Sequence, residues 1–316
     1  MAIVVLLRIS LFGKFRVCRD ERPVPGIDAG KVQQLFSYLL LHRDRPHARE
    51  KLASLFWDST TTAQSKKHLR QTLWQLQSSL DEAHSAQVIH VEPEWVQVNT
   101  TDDFWLDVAL FEQTFLLAQG TAGRELSADD AQKLRQATQL YQGNLLEGWY
   151  HDWCLYERER FLHMYLGMLD KLMGYSEARR AYEDGIRYGQ MILRYDLARE
   201  RTHRRLIRLF YQAGNRTEAL RQFDRCEAAL SRELGVRPAR GTLVLNEQIR
   251  ADTLAADDPI LMVLADDEDG LNAGINPEPT GLPEAISRLR QMRATLTLLQ
   301  QQVDSCLEAC RQALHE

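Results

Sequence analysis

The stretch Gln64–Leu80, QSKKHLRQTLWQLQSSL, constrains this chain more than any other. As a helix it places Leu69, Leu73, Leu76 and Leu80 on one face, at spacings of four, three and four. The other side carries Lys66, Lys67, Arg70, Gln71, Trp74, Gln75 and Gln77, with no carboxylate between Gln64 and Leu80. Lys and Arg neutralise phosphates, and Gln can pair both amide groups with an adenine edge in the major groove. One face is built to be buried; the other has the chemistry of a surface that meets DNA. A solvated surface helix has the same pattern, so the flanking segments must decide.

Upstream, Ile3–Leu11 and Lys14–Cys18 read as strands around Gly13, and Asp20–Gly26, with Pro23 and Pro25, as a loop or edge. The segment GIDAGK at 26–31 fails as a phosphate loop. It has three residues between its glycines where four are needed, and Val32 stands where a Ser or Thr would hold magnesium. Asp28 reads instead as a cap for a helix over Lys31–His42, whose stripe is Val32, Leu35, Phe36, Leu39 and Leu40. A second helix is expected from Ala48 to Phe56, and Thr62 as the cap of the third. Gln87–Glu92 and Trp95–Asn99 alternate around Pro93-Glu94, which predicts a hairpin. Strands, three helices and a hairpin in this order make a winged helix-turn-helix, in which the third helix enters the major groove. A small α+β domain of another role is the alternative.

From Thr101 to about Arg250 the pattern is helical. Expected helices are Val108–Ala118, Ala128–Tyr141, His151–Met173, Ser176–Arg194, Arg199–Ala213, Thr217–Leu234 and Gly241–Arg250. Gly174–Tyr182 echoes Gly214–Phe223, with Ala178 and Ala219 each four residues before an aromatic. That is tetratricopeptide-like packing, which stacks helix pairs and leaves a groove. Within it Trp149 and Trp153 read as core. Glu157–Arg160 reads as a solvated face, His203 as a surface residue, and the arginines of Arg199–Arg208 as solvated or facing an acidic partner or anion.

Residues 251–284 carry nine acids, no base and several Gly and Pro, and read as a flexible acidic linker. The apolar hexamer PILMVL at 259–264 either docks back or serves as a partner motif. The final helix, 285–316, has heptad positions Leu289, Leu296 and Val303, interleaved with Met292, Leu299 and Cys306. It reads as a coiled coil that dimerises or packs within its own chain.

Charge is uneven. The net value of −5 hides thirteen Lys+Arg against ten Asp+Glu in residues 1–100, and twelve Arg against six acids in 198–250. The five cysteines are odd in number and include no Cys-x-x-Cys pair, so they read as reduced thiols, and no metal is expected. The apolar N-terminus lacks the basic start and cleavage site of a signal peptide, and no run is long enough to span a membrane. A cytoplasmic protein is expected. No spacing of carboxylates, histidines or nucleophiles forms a catalytic arrangement, so neither enzyme activity nor a cofactor is expected.

Five blocks in order carry a family resemblance: LFSYLLLHRDRPHAREKLASLFW (35–57), HLRQTLWQLQSSL (68–80), LDVALFE (106–112), LYQGNLLEGWYHDWCLYERERF (140–161) and AGNRTEALRQFDRCEAALSRELGVRP (213–238). Residues 1–250 resemble the Streptomyces antibiotic regulatory protein family of transcriptional activators, which join an OmpR-type winged helix to a bacterial transcriptional activation domain. The fold expected is mainly α with a small α+β part: a winged helix-turn-helix over 1–100, tetratricopeptide-like helices over 101–250, the linker over 251–284 and the coiled coil over 285–316. The resemblance implies sequence-specific binding to promoter DNA, often at direct repeats, and help in recruiting RNA polymerase. Carried over, the family's DNA-contacting positions point to Lys67, Thr72, Trp74, Gln75 and Gln77 and to the wing at Trp95. Relatives commonly have arginines where this chain has Trp74, Gln75 and Gln77, and a Gly-Tyr-Arg-type wing where it has Glu94-Trp95-Val96. Fewer cations release fewer counterions and make a homodimer more useful. The alternative is an interaction scaffold or ligand sensor, its groove taking the partner and its DNA binding weak or lost.

Overall fold

Alternating burial along Leu7–Ser10 (β1) and Arg16–Arg19 (β2) makes them an antiparallel pair, with Leu7, Ile9 and Val17 turned inward. The computed structural model describes residues 7–28, 30–82, 88–99 and 104–254. Arg22–Pro23 (β3) pairs with β2 through a turn in which Asp20 and Glu21 both have positive φ. It is an edge strand, where a proline costs no ladder bond. Phe104–Leu106 (β7) pairs parallel to β1, giving the order β3-β2-β1-β7. This last strand lies beyond residue 100, so the N-terminal sheet is closed by a segment that follows the winged helix in sequence.

Between these strands lie Gly30–Leu41 (α1), His47–Ala48 (β4), Arg49–Phe56 (α2), Thr62–Glu82 (α3), Ile89–Val91 (β5) and Trp95–Val98 (β6). The second sheet has the order β4-β6-β5, so the hairpin is anchored to the start of α2. This is the winged helix-turn-helix. Leu69, Leu73, Leu76 and Leu80 are all buried, as their spacing predicts. The cap differs from expectation. Thr61 receives the backbone N–H of Gln64 at 3.4 Å, while Thr62 is already helical.

The helical part is Asp107–Leu117 (α4), Ala128–Leu140 (α5), Asp152–Ala178 (α6), Tyr182–Leu193 (α7), Glu200–Gln212 (α8), Arg216–Leu234 (α9) and Arg240–Ala251 (α10). The break expected between Met173 and Ser176 does not occur, and α6 runs straight through Gly174. That glycine is there for packing. A Cβ on it would sit 3.3 Å from the Cα of Gly123 and 3.5 Å from the Arg205 guanidinium. The chain turns instead at Arg180, at φ 55°. The internal echo is therefore shifted. Counted from the helix caps Ala181 and Asn215, the matching small residues are Gly185 and Ala219, both buried.

The arginines of α8 are not a solvated face. Arg205 is buried and donates to both carboxylate oxygens of Glu177 at 2.9 Å and to Asp170 at 2.7 Å. Burial alone would raise Asp170, but the guanidiniums of Arg205, Arg201 and Arg199 outweigh it and hold the carboxyl below its usual range. His203 is buried as well, with one ring nitrogen 2.9 Å from the Leu197 carbonyl and the other 2.8 Å from the Gln222 amide. Four residues of spacing cannot distinguish an outward arginine from one that meets a carboxylate on a neighbouring helix.

The winged helix and the helical part share a core. Phe12 lies 4.9 Å from Phe111, 5.0 Å from Tyr141 and 5.4 Å from Phe161 between ring centroids. Trp153 stands edge-on to Tyr38 of α1, and Trp149 meets Phe15, so both tryptophans pack as expected. Glu157, Arg158 and Arg160 form an inward-facing cluster, which corrects the solvated reading for them, while Glu159 is exposed. Glu157 is buried, Arg158 donates to the carbonyls of Leu145, Leu146 and Trp149, and Arg160 bridges Glu157 and Glu112. Arg43, just past α1, also pairs with Glu112.

At the centre of this junction is Asp107. Its carboxylate accepts the backbone N–H groups of Leu11, Phe12 and Val108 at 2.7–2.9 Å. Burial pushes the carboxyl up to about 6 against the pull of these donors. Asp107→Ala leaves three buried donors unpaired and is expected to cost about 3 kcal/mol or more in urea unfolding.

His42 gives a pH signature. Burial, with Arg45, His47 and Arg160 nearby, lowers it from 6.5 to about 4. It is therefore neutral at pH 7, and its 3.9 Å contact with Glu157 is not an ion pair there. The unfolded chain takes up this proton first, so stability is full above pH 6.5 and falls as pH drops toward 4. His42→Gln is expected to lose about 2–3 kcal/mol less than wild type between pH 7 and 4.5, measured by urea unfolding at each pH.

Candidate nucleic-acid interface

The solvent face of α3 follows from where its leucines go. At about 100° per residue, the direction opposite the buried leucines falls beside Gln71, with Lys67 and Trp74 within about 50° of it. Lys66, Lys67, Arg70, Gln71 and Trp74 are exposed, and Gln75 and Gln77 are half-buried at its margins. Thr72 is corrected. It is 7% exposed and sits between Leu69, Leu73 and Leu76 on the inner face, so it is not part of this surface.

The cations differ in what they do. Lys66 donates to Glu50 of α2 at 2.6 Å, which pulls the Glu50 carboxyl below its usual range. This pair ties the start of α3 to α2. Lys67 and Arg70 have no ion-pair partner among the described residues, and no carboxylate lies on the stripe. A positive surface without internal neutralisation can attract phosphate.

The wing is held in place by the backbone. Arg49 donates its N–H to the Glu94 carbonyl at 2.9 Å and a guanidinium N–H to the Glu92 carbonyl at 3.0 Å. Glu92 donates its N–H to the Trp95 carbonyl at 2.9 Å, which closes the turn. Trp95 is 37% exposed on β6, at the end of that turn. The carboxylates of Glu92 and Glu94 are exposed on either side of Pro93. The wing thus offers one aromatic ring beside two charges of the same sign as a phosphate.

Two features escaped sequence reasoning. Arg49 supports the wing, which its place at the start of α2 does not reveal. His68 stacks on Trp57 with centroids 6.2 Å apart, closing the α2–α3 turn. Only a ring count around the turn could have hinted at that. A cavity of about 320 Å³ opens on the outer face of the N-terminal sheet, lined by Arg8, Arg16, Trp105 and Gln142 among others. The groove expected of the helical part is not where it lies.

Heptad residues Leu289, Met292, Leu296, Leu299, Val303 and Cys306, the acidic linker and the hexamer at 259–264 lie outside the described residues. No described helix is long and apolar enough to cross a membrane.

Residues 106–250 match the bacterial transcriptional activator domain. The chain thus joins a winged helix-turn-helix to a bacterial transcriptional activator domain. A solved structure titled Mycobacterium tuberculosis EmbR in complex with low affinity phosphopeptide has the same fold. It superposes at a TM-score of 0.61 with 19% identity, over 85% of this chain and 71% of that one. No curated protein matches the chain.

If the Lys66–Glu50 pair is an exposed tie, it is weak. Lys66→Ala is expected to change stability by about 1 kcal/mol or less, read from urea midpoints.

Proposed function

We propose that this chain activates transcription by binding promoter DNA in a sequence-specific way through α3, and by contacting RNA polymerase or a regulator through its helical part. One observation carries the reading. The outward stripe of α3 holds Lys67, Arg70, Gln71 and Trp74, with cations that no described carboxylate neutralises. Lys67 and Arg70 hold phosphates on this reading, and Lys66 joins them when it leaves Glu50. Gln71, Trp74, Gln75 and Gln77 lie near base edges. Trp95 sits over the flanking groove. The protein acts in the cytoplasm and as a homodimer, whose heptad tail raises the effective concentration of the second reading head.

Selection of duplexes from a random pool by the full chain tests this directly. An enriched motif supports it. No enrichment by folded protein would leave the scaffold or sensor reading. Replacing both Lys67 and Arg70 with Ala is expected to weaken binding at least ten-fold. The slope of log affinity against log salt should become shallower by about 2, from two lost phosphate contacts. Unchanged binding would remove α3 from the interface.

The wing gives an independent test. Glu92→Gln with Glu94→Gln removes two charges that repel phosphate. DNA affinity is expected to rise several-fold at low salt, and the gain should shrink as salt screens it. An unchanged affinity would mean that the wing stands away from the duplex.

A further inference from the structure

We propose that Trp74 reads a thymine through its 5-methyl group in the major groove. This names the base class for the site proposed above and rests on that reading of α3.

The placement comes first. Trp74 is 69% exposed in the middle of a 21-residue helix. At about 100° per residue it points within roughly 50° of the direction opposite the buried leucines. Arg70 precedes it by one turn, Lys67 by two, and Gln71 and Gln75 flank it. Trp57, Trp105, Trp149 and Trp153 each meet another ring or a cation. The Trp74 ring has no aromatic, cationic or hydrogen-bonding partner among the described residues. A large apolar ring thus stands alone at the C-terminal end of a cationic stripe.

Chemistry then selects the occupant. Cations in the two turns before Trp74 and no carboxylate on the stripe favour a polyanion, and a helix with this stripe fits a major groove. In that groove the thymine methyl is the apolar feature that an indole can cover. The indole has one N–H donor and no acceptor. It therefore cannot accept from the amino groups of adenine or cytosine. Thymine offers both a methyl for the ring and the O4 acceptor for the N–H. Guanine offers acceptors but no methyl. An arginine at this position would favour guanine instead, so a protein with arginine there is expected to select a different base.

The test uses the full chain and the duplex it selects. Each thymine is replaced in turn by deoxyuridine, which removes only the methyl. Wild type is expected to lose about four-fold or more in affinity at one position of each repeat. Trp74→Ala should bind the methylated and unmethylated duplexes equally. It should also keep the salt dependence set by Lys67 and Arg70. Trp74 is on the surface, so an unchanged urea midpoint checks that the variant is folded, and Trp74→Gln serves as a second variant. The proposal is overturned if Trp74→Ala keeps the same deoxyuridine penalty. It is also overturned if no thymine methyl matters, or if the variant loses only activation and not DNA binding, which would assign Trp74 to a protein partner. Failure of wild type to select any duplex would instead sink the DNA-binding reading, and this proposal with it.

Discussion

The carboxylate of Asp107 joins the two halves of the described fold. It gathers the backbone N–H groups of Leu11 and Phe12, where β1 ends, and of Val108, where α4 begins. These donors lie in the interior, where an unpaired N–H is costly and no water is at hand. One side chain therefore fixes where the first strand stops and where the helical part starts. The loop at 144–147 adds to this. Gly13 donates to the Asn144 carbonyl, Leu146 donates to that of Leu11, and Glu147 to that of Gly13. With Phe12 set among Phe111, Tyr141 and Phe161, the winged helix shares a core with its neighbour.

Several cations outside α3 are used inside the structure. Arg205 is consumed by Asp170 and Glu177, and Arg160 by Glu112 and Glu157. Removing one partner of such a group would strand a charge in low dielectric. The excess of arginine in 198–250 is divided: Arg205 and Arg216 tie helices together, whereas Arg221, Arg225, Arg237, Arg240 and Arg250 are exposed. The α3 stripe is the contrast, since Lys67 and Arg70 have no such partner. Lys66 stands between, tied to Glu50 at the surface, where the pair holds geometry more than it stabilises.

On the proposed reading, this arrangement lets a chain with net charge −5 carry a nucleic-acid face. The charge that matters is local and unneutralised. The wing limits it, because Glu92 and Glu94 repel phosphate where Trp95 would approach. On that reading, a head with two cations that have no ion-pair partner among the described residues, amide side chains and an exposed indole would depend more on base contacts and on joining two heads than on phosphate count.

Periodicity by itself determined the leucine face of α3, the order of the first strands, three helices and hairpin, and the helical character beyond residue 106, because each depends on spacing along one segment; the helical pattern expected from Thr101 gives way to the strand Phe104–Leu106. It also placed Trp149 and Trp153 in the core. What a residue meets across space was decided only by tertiary structure. Thr72 shares its turn with exposed residues, yet packs inward because of where the stripe turns. Gly174 reads as a break, yet lies within α6, where the backbone of Gly123 passes close to it. His203 and Arg205 read as surface, yet their partners come from α9 and α6, on helices far away in sequence. The closing strand β7 comes from beyond the winged helix, and its pairing with β1 is a long-range contact that no local pattern encodes.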